Sequence, residues 1–102
     1  MSKTILPADP KEAMATLMRL TRGMLIMMRE EARSISIRNE VAMLDAEALK
    51  ERLLPEYQQA AQEFSQRIEE FRGMDPSLLD ELQALQDELG AIARENQFNL
   101  AS

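Results

Sequence analysis

Apolar residues recur at steps of three and four along most of the chain, the spacing of one face of an α-helix. The first stripe runs Met14, Met18, Thr21, Leu25, Met28, Ala32, Ile35, Asn39 and Ala42. A second row, Leu17, Leu20, Met24 and Met27, lies beside it and widens the apolar arc. The start of this helix is marked. Asp9 can accept amide hydrogen bonds as a cap, Pro10 suits the first helical position, and Glu12 stands where a capping box needs it. Residues 1–8 read as a flexible tail. Gly23 inside the run costs about 1 kcal/mol relative to Ala and leaves room for a close crossing. Carried to Ala42, the pattern gives a helix about 50 Å long. Its weakest stretch is Ser34-Ile35-Ser36-Ile37, where serines alternate with β-branched residues and a short strand competes.

Asp45 reads as a new cap, followed by a short helix over Ala46–Leu54. Pro55 lacks an amide donor, so a bend is expected at Leu53-Leu54. A second stripe continues through Tyr57, Ala61, Phe64, Ile68 and Phe71 to a stop at Gly73. Asp75-Pro76 opens a third helix with the stripe Leu78, Leu82, Leu85, Leu89, Ile92, Asn96 and Asn99. The links, near 43–46 and 73–75, are short, which favours antiparallel neighbours. The expected architecture is all-α: an elongated antiparallel three-helix bundle, coiled-coil-like, with a break near Pro55, forming a single domain over residues 9–102.

Composition supports the helical reading and narrows the chemistry. Gly and Pro total seven in 102 residues, too few for a fold of many tight corners. The chain has no Cys, which removes disulfides, thiol nucleophiles and zinc–thiolate sites. It has no His, so helical metal motifs that need one cannot be built. The formal charge of −6 is unevenly spread. Residues 1–44 carry seven basic and five acidic side chains, and residues 45–102 carry five and thirteen. The acidic part argues against nucleic acid as a ligand. No window approaches the roughly 18 uninterrupted apolar residues of a membrane span, and the first residues lack the apolar core of a signal peptide. A cytoplasmic protein is expected.

Four carboxylate pairs, Glu30-Glu31, Glu69-Glu70, Asp80-Glu81 and Asp87-Glu88, are the nearest approach to acid–base chemistry. Neighbouring residues on a helix point in different directions, so these pairs diverge and read as solvated faces. No catalytic, cofactor-binding or metal-binding residue is assigned. Arg19, Arg22, Arg29 and Arg33 form a basic row, read first as a flank paired with acidic residues of a neighbouring helix. Six methionines fall between residues 14 and 43. Their unbranched thioethers suit either a loosely packed core or an adaptable binding surface. Asn39 and Asn96 take stripe positions where a buried Asn would fix register.

The order of landmarks resembles the FlgN-type flagellar export chaperones over roughly residues 14–99. A long first helix runs into Asn39-Glu40-Val41-Ala42-Met43-Leu44-Asp45-Ala46-Glu47-Ala48-Leu49. Leu53-Leu54-Pro55-Glu56-Tyr57-Gln58-Gln59-Ala60 follows, then Asp75-Pro76-Ser77-Leu78-Leu79, Leu85-Gln86-Asp87-Glu88-Leu89 and Glu95-Asn96. The resemblance implies a cytoplasmic chaperone without enzymatic activity that passes hook-associated flagellar proteins to type III export. Two departures stand out. Glu56-Tyr57 replaces the usual Glu-Lys. The family also continues past its Asn landmark into the segment that binds substrate, so no substrate-binding residue carries over. The expected partner contact is therefore placed on the Met-rich face (Met14, Leu17, Leu20, Met24, Met27 and Met28) or at the C-terminal end (Ile92, Asn96 and Leu100). The alternative is a structural coiled coil or adaptor subunit that self-associates and has no client.

Overall fold

A computed structural model describes residues 4–101. They form α1 (Pro10–Ser36), α2 (Glu40–Gln66), the single-turn α3 (Ile68–Phe71) and α4 (Pro76–Ala101), with no strand among the described residues. The expected all-α class is observed. The starts of α1 and α4 follow their sequence signals. Asp9 accepts from the Glu12 amide at 3.1 Å, and Asp75 accepts from the Ser77 amide at 2.9 Å.

The first inter-helix link lies earlier than expected, at residues 37–39 instead of 43–46. The Arg38 amide donates to Ile35 O and the Asn39 amide to Ser34 O, each at 3.1 Å. Arg38 has φ 53°. That is a Schellman C-cap with arginine in the left-handed position where glycine is usual. Asn39 then caps α2 by accepting from the Ala42 amide at 3.1 Å. Asp45 lies inside α2 and caps nothing, and α1, with 27 residues, spans about 40 Å instead of 50 Å.

The break expected near Pro55 is also absent, since α2 runs through it without interruption. Pro55 and Glu51 are both exposed. The carbonyl that loses its donor therefore faces solvent, where water can satisfy it, and the ring displaces no packed neighbour. The interruption comes after Gln66. It resets the helical register, so that Phe71 is fully buried while Ile68 points out.

α1 is the central helix. Its backbone approaches α2 and α4 closely, whereas α2 and α4 approach each other much less. Two core clusters lie along it. One gathers Leu6, Ala13, Met14, Leu17, Met18, Ala60, Phe71 and Leu82. The other gathers Met24, Leu25, Met27, Met28 and Leu89, with Leu49, Leu53, Leu54 and Ile92 packed against it. The molecule measures 45 × 33 × 17 Å and has a radius of gyration of 15.2 Å. A compact chain of this length would have about 13 Å, so the fold is elongated.

Residues 4–8 of the expected flexible tail are docked; residues 1–3 lie outside the described residues. Leu6 is 3 % exposed within the first core cluster. Glu63 accepts from the Ile5 and Leu6 amides at 2.9–3.0 Å. Arg67 donates to Pro7 O and Ala8 O at 2.8 and 2.9 Å. The apolar pair Ile5-Leu6 seats this segment against the first core cluster.

Candidate functional site

The Met-rich arc does not form a surface. Met14, Leu17, Met24, Met27 and Met28 are buried, and Leu20 is half-buried against the first core cluster. α1 has a neighbour on each side, so an arc wider than one seam is what a central helix needs. A partner could reach these side chains only by displacing α2 or α4. At the other expected site, Ile92 is half-buried, Asn96 is 1 % exposed, and Leu100 is exposed. The structure thus separates the nine residues into a core set and one surface side chain.

Leu100 belongs to an open cleft of about 530 Å³ between the end of α1, the start of α2 and the end of α4. Ala32, Ile35, Met43 and Asn99 share that cleft. An adjoining hollow of about 380 Å³ adds Leu44, Glu31 and Glu47. Leu44 is 71 % exposed, and Val41 and Ile37 on the same hairpin are 69 % and 58 % exposed. Val41, Leu44 and Ala48 follow helical spacing on the outer side of α2. The sequence does carry this signal, in apolar residues lying off the stripe, but a reading that follows one stripe per helix passes over it.

Beneath the cleft lies a buried polar node joining three helices. Glu31 of α1 accepts from Lys50 Nζ of α2 at 2.7 Å and from Asn96 Nδ2 of α4 at 2.9 Å. Asn96 Nδ2 also donates to Met28 O at 2.9 Å, while Asn96 Oδ1 is buried without a partner. Lys50 reaches Glu47 as well, at 3.4 Å. Burial pulls the Lys50 pKa down, but the hydrogen bond and charge of Glu31, helped by Glu47, raise it above the ordinary lysine value. A charge this deep is tolerated only with such partners, so the node fixes which residues of the three helices meet.

Of the basic row Arg19, Arg22, Arg29 and Arg33, two members pair with carboxylates of α4. Arg22 meets Glu81 at 2.5 Å, and Arg29 pairs with Glu88. All four side chains are about half exposed, so each pair contributes at most about 1 kcal/mol. Among the described residues, no three Asp or Glu side chains are placed to hold a metal ion. No described helix is long and apolar enough to cross a membrane. No family model, curated protein or solved structure matches the chain.

Proposed function

We propose that the chain is a non-catalytic helical binding protein that takes up an amphipathic helix of a protein partner in the cleft at the α1–α2 hairpin. The observation that carries this reading is the hollow lined by Ile35, Met43, Leu44 and Leu100, of which Leu44 and Leu100 are exposed; Ile37 and Val41 are exposed on the same hairpin, outside it. An apolar helix face laid into such a groove is a recurrent mode of protein recognition. The scaffold is read as an antiparallel three-helix bundle. The pairings Arg22–Glu81, Arg29–Glu88 and Glu31–Asn96 ascend together, which supports α1 and α4 running in the same direction. Lys50 meets Glu31 near the hairpin, while Ala60 shares a cluster with Met14 and Leu17, which supports α2 running the other way.

The resemblance to FlgN-type chaperones supports a cytoplasmic role and makes hook-associated flagellar proteins the first partners to test. A fluorescein-labelled amphipathic helix from such a protein, titrated by anisotropy, should bind the wild-type chain saturably. It should fail to bind Leu44→Glu, whose helicity should be unchanged because Leu44 is exposed. Equal binding by Leu44→Glu, or none by the wild type, refutes the reading. The second reading, a self-associating subunit, draws on the same exposed Val41–Leu44 stripe as a face for another copy. Sedimentation separates the two: a monomer supports partner capture, and a dimer dispersed by Leu44→Glu supports self-association.

A further inference from the structure

The hollow at the hairpin is apolar and acidic at once. Glu31, Glu40 and Glu47 line it together with Met43 and Leu44, and no basic side chain does. Glu31 is 4 % exposed and has both oxygens engaged, one with Lys50 Nζ at 2.7 Å and one with Asn96 Nδ2 at 2.9 Å. Glu47 has only the same lysine, at 3.4 Å. Glu40 is exposed and has no ion pair among the described residues. One cation thus serves three carboxylates, while Arg38 lines only the neighbouring part of the cleft. Glu40 and Glu47 stand seven residues apart on α2, two turns or about 10 Å along the helix. Met43 and Leu44 fall between them at helical spacing. A helix laid along this flank meets carboxylate, apolar pair and carboxylate in that order. Carboxylates or phosphates on the incoming surface are repelled there, and ammonium or guanidinium groups are attracted.

We propose, resting on the docking reading above, that the partner helix is basic. It seats an apolar side chain against Leu44 and Leu100 and carries Lys or Arg about one turn to either side, where they meet Glu40 and Glu47. This chain has the same pattern itself, Arg22, Ile26 and Arg29, on the outer face of α1, where Ile26 is 62 % exposed. Those two arginines already pair with Glu81 and Glu88, so a second copy could enter the hollow only by giving up those pairs. A separate basic helix gives up nothing of this chain's own, and the charges favour it as the occupant.

The test uses two labelled helical peptides with one leucine face, titrated by anisotropy into the full chain. One carries arginine seven residues apart on either side of a leucine pair, and the other carries glutamate at both places. An exposed ion pair is worth up to about fivefold in affinity, so two attractions exchanged for two repulsions should favour the arginine peptide about tenfold or more. The preference should shrink as salt is added. Glu40→Gln/Glu47→Gln should remove most of it with helicity retained, because both side chains are exposed and Lys50 keeps Glu31. Glu51→Gln/Glu56→Gln makes the same change in net charge elsewhere on α2 and should leave the preference intact. Equal binding of the two peptides, abolished by Leu44→Glu, overturns the basic partner and leaves the docking reading standing, whereas binding of neither overturns both. An equal loss of preference in the two double variants also overturns the proposal, since net charge and not the hollow would then be read. So does a wild-type dimer dispersed by Ile26→Asp, which makes a second copy the occupant.

Discussion

Met27→Ala measures whether the methionine arc is structural. Met27 is 1 % exposed in the cluster with Leu25, Met28 and Leu89. The substitution removes the side chain beyond Cβ, three heavy atoms. At about 0.8 kcal/mol for each buried methylene-sized group, the transfer cost alone is about 2.4 kcal/mol. The vacated space adds to this, giving a total of about 2.5–5 kcal/mol. For a domain of this size each kcal/mol moves Tm by roughly 4–8 °C, so the lower estimate already lowers Tm by about 10 °C or more. Thermal melts followed by far-UV circular dichroism read this directly, and urea midpoints check it. Met27→Leu, which nearly conserves volume, should cost less than about 1.5 kcal/mol. Met43→Ala at the cleft should cost distinctly less than Met27→Ala, because Met43 is only partly buried. If Met27→Ala shifted Tm by no more than Met43→Ala, the arc would not be core and the packing described for α1 would be wrong.

Three further outcomes follow from named contacts. Lys50→Ala leaves the Glu31 carboxylate buried without its cation and should lower stability by about 3 kcal/mol, with much of the loss recovered by adding Glu31→Gln; a urea double-mutant cycle checks this. Arg38→Gly relieves the left-handed backbone and should raise stability by up to about 1 kcal/mol, read as an increase in Tm. Burial works to raise the Glu63 pKa, but the Leu6 and Ile5 amides, with Gln59 and Arg67, outweigh it and hold it below the ordinary carboxylate value. A depressed folded-state pKa means the contribution is complete above the ordinary value near pH ~4.3 and is lost as pH falls through the lower folded value. Ile5 and Leu6 amide exchange should therefore accelerate on acidification below about pH 4, and Glu63→Gln should flatten that dependence.

The legible parts of the fold are those with local signals. Asp9-Pro10 and Asp75-Pro76 start helices where cap chemistry says they should, and the three apolar stripes supply most of the core. The end of α1 was misplaced because its cap uses arginine where glycine is the usual marker, while the apolar spacing continues through Ile35 into Ala42. Pro55 was given too much weight because the cost of a proline depends on whether the orphaned carbonyl faces solvent, which spacing alone does not tell. The candidate site was only partly visible. Asn96 was singled out, and it is the α4 member of the buried node. Its partners Glu31 and Lys50 come from separate helices, and no local pattern joins them. The exposure of Leu44 and the burial of Met27 both follow from α1 having neighbours on two sides, a property of the assembled fold.

Methionine oxidation by dilute peroxide, mapped by mass spectrometry with and without a bound partner helix, tests core and cleft together. Thioethers shielded from solvent react slowly, so each methionine reports its own surroundings. The account predicts that Met14, Met24 and Met27 stay protected in both states, and that Met43 reacts in the free chain and becomes protected in the complex. Rapid oxidation of Met14, Met24 and Met27 in the free folded chain, or a Met43 rate unchanged by a bound partner, would contradict it.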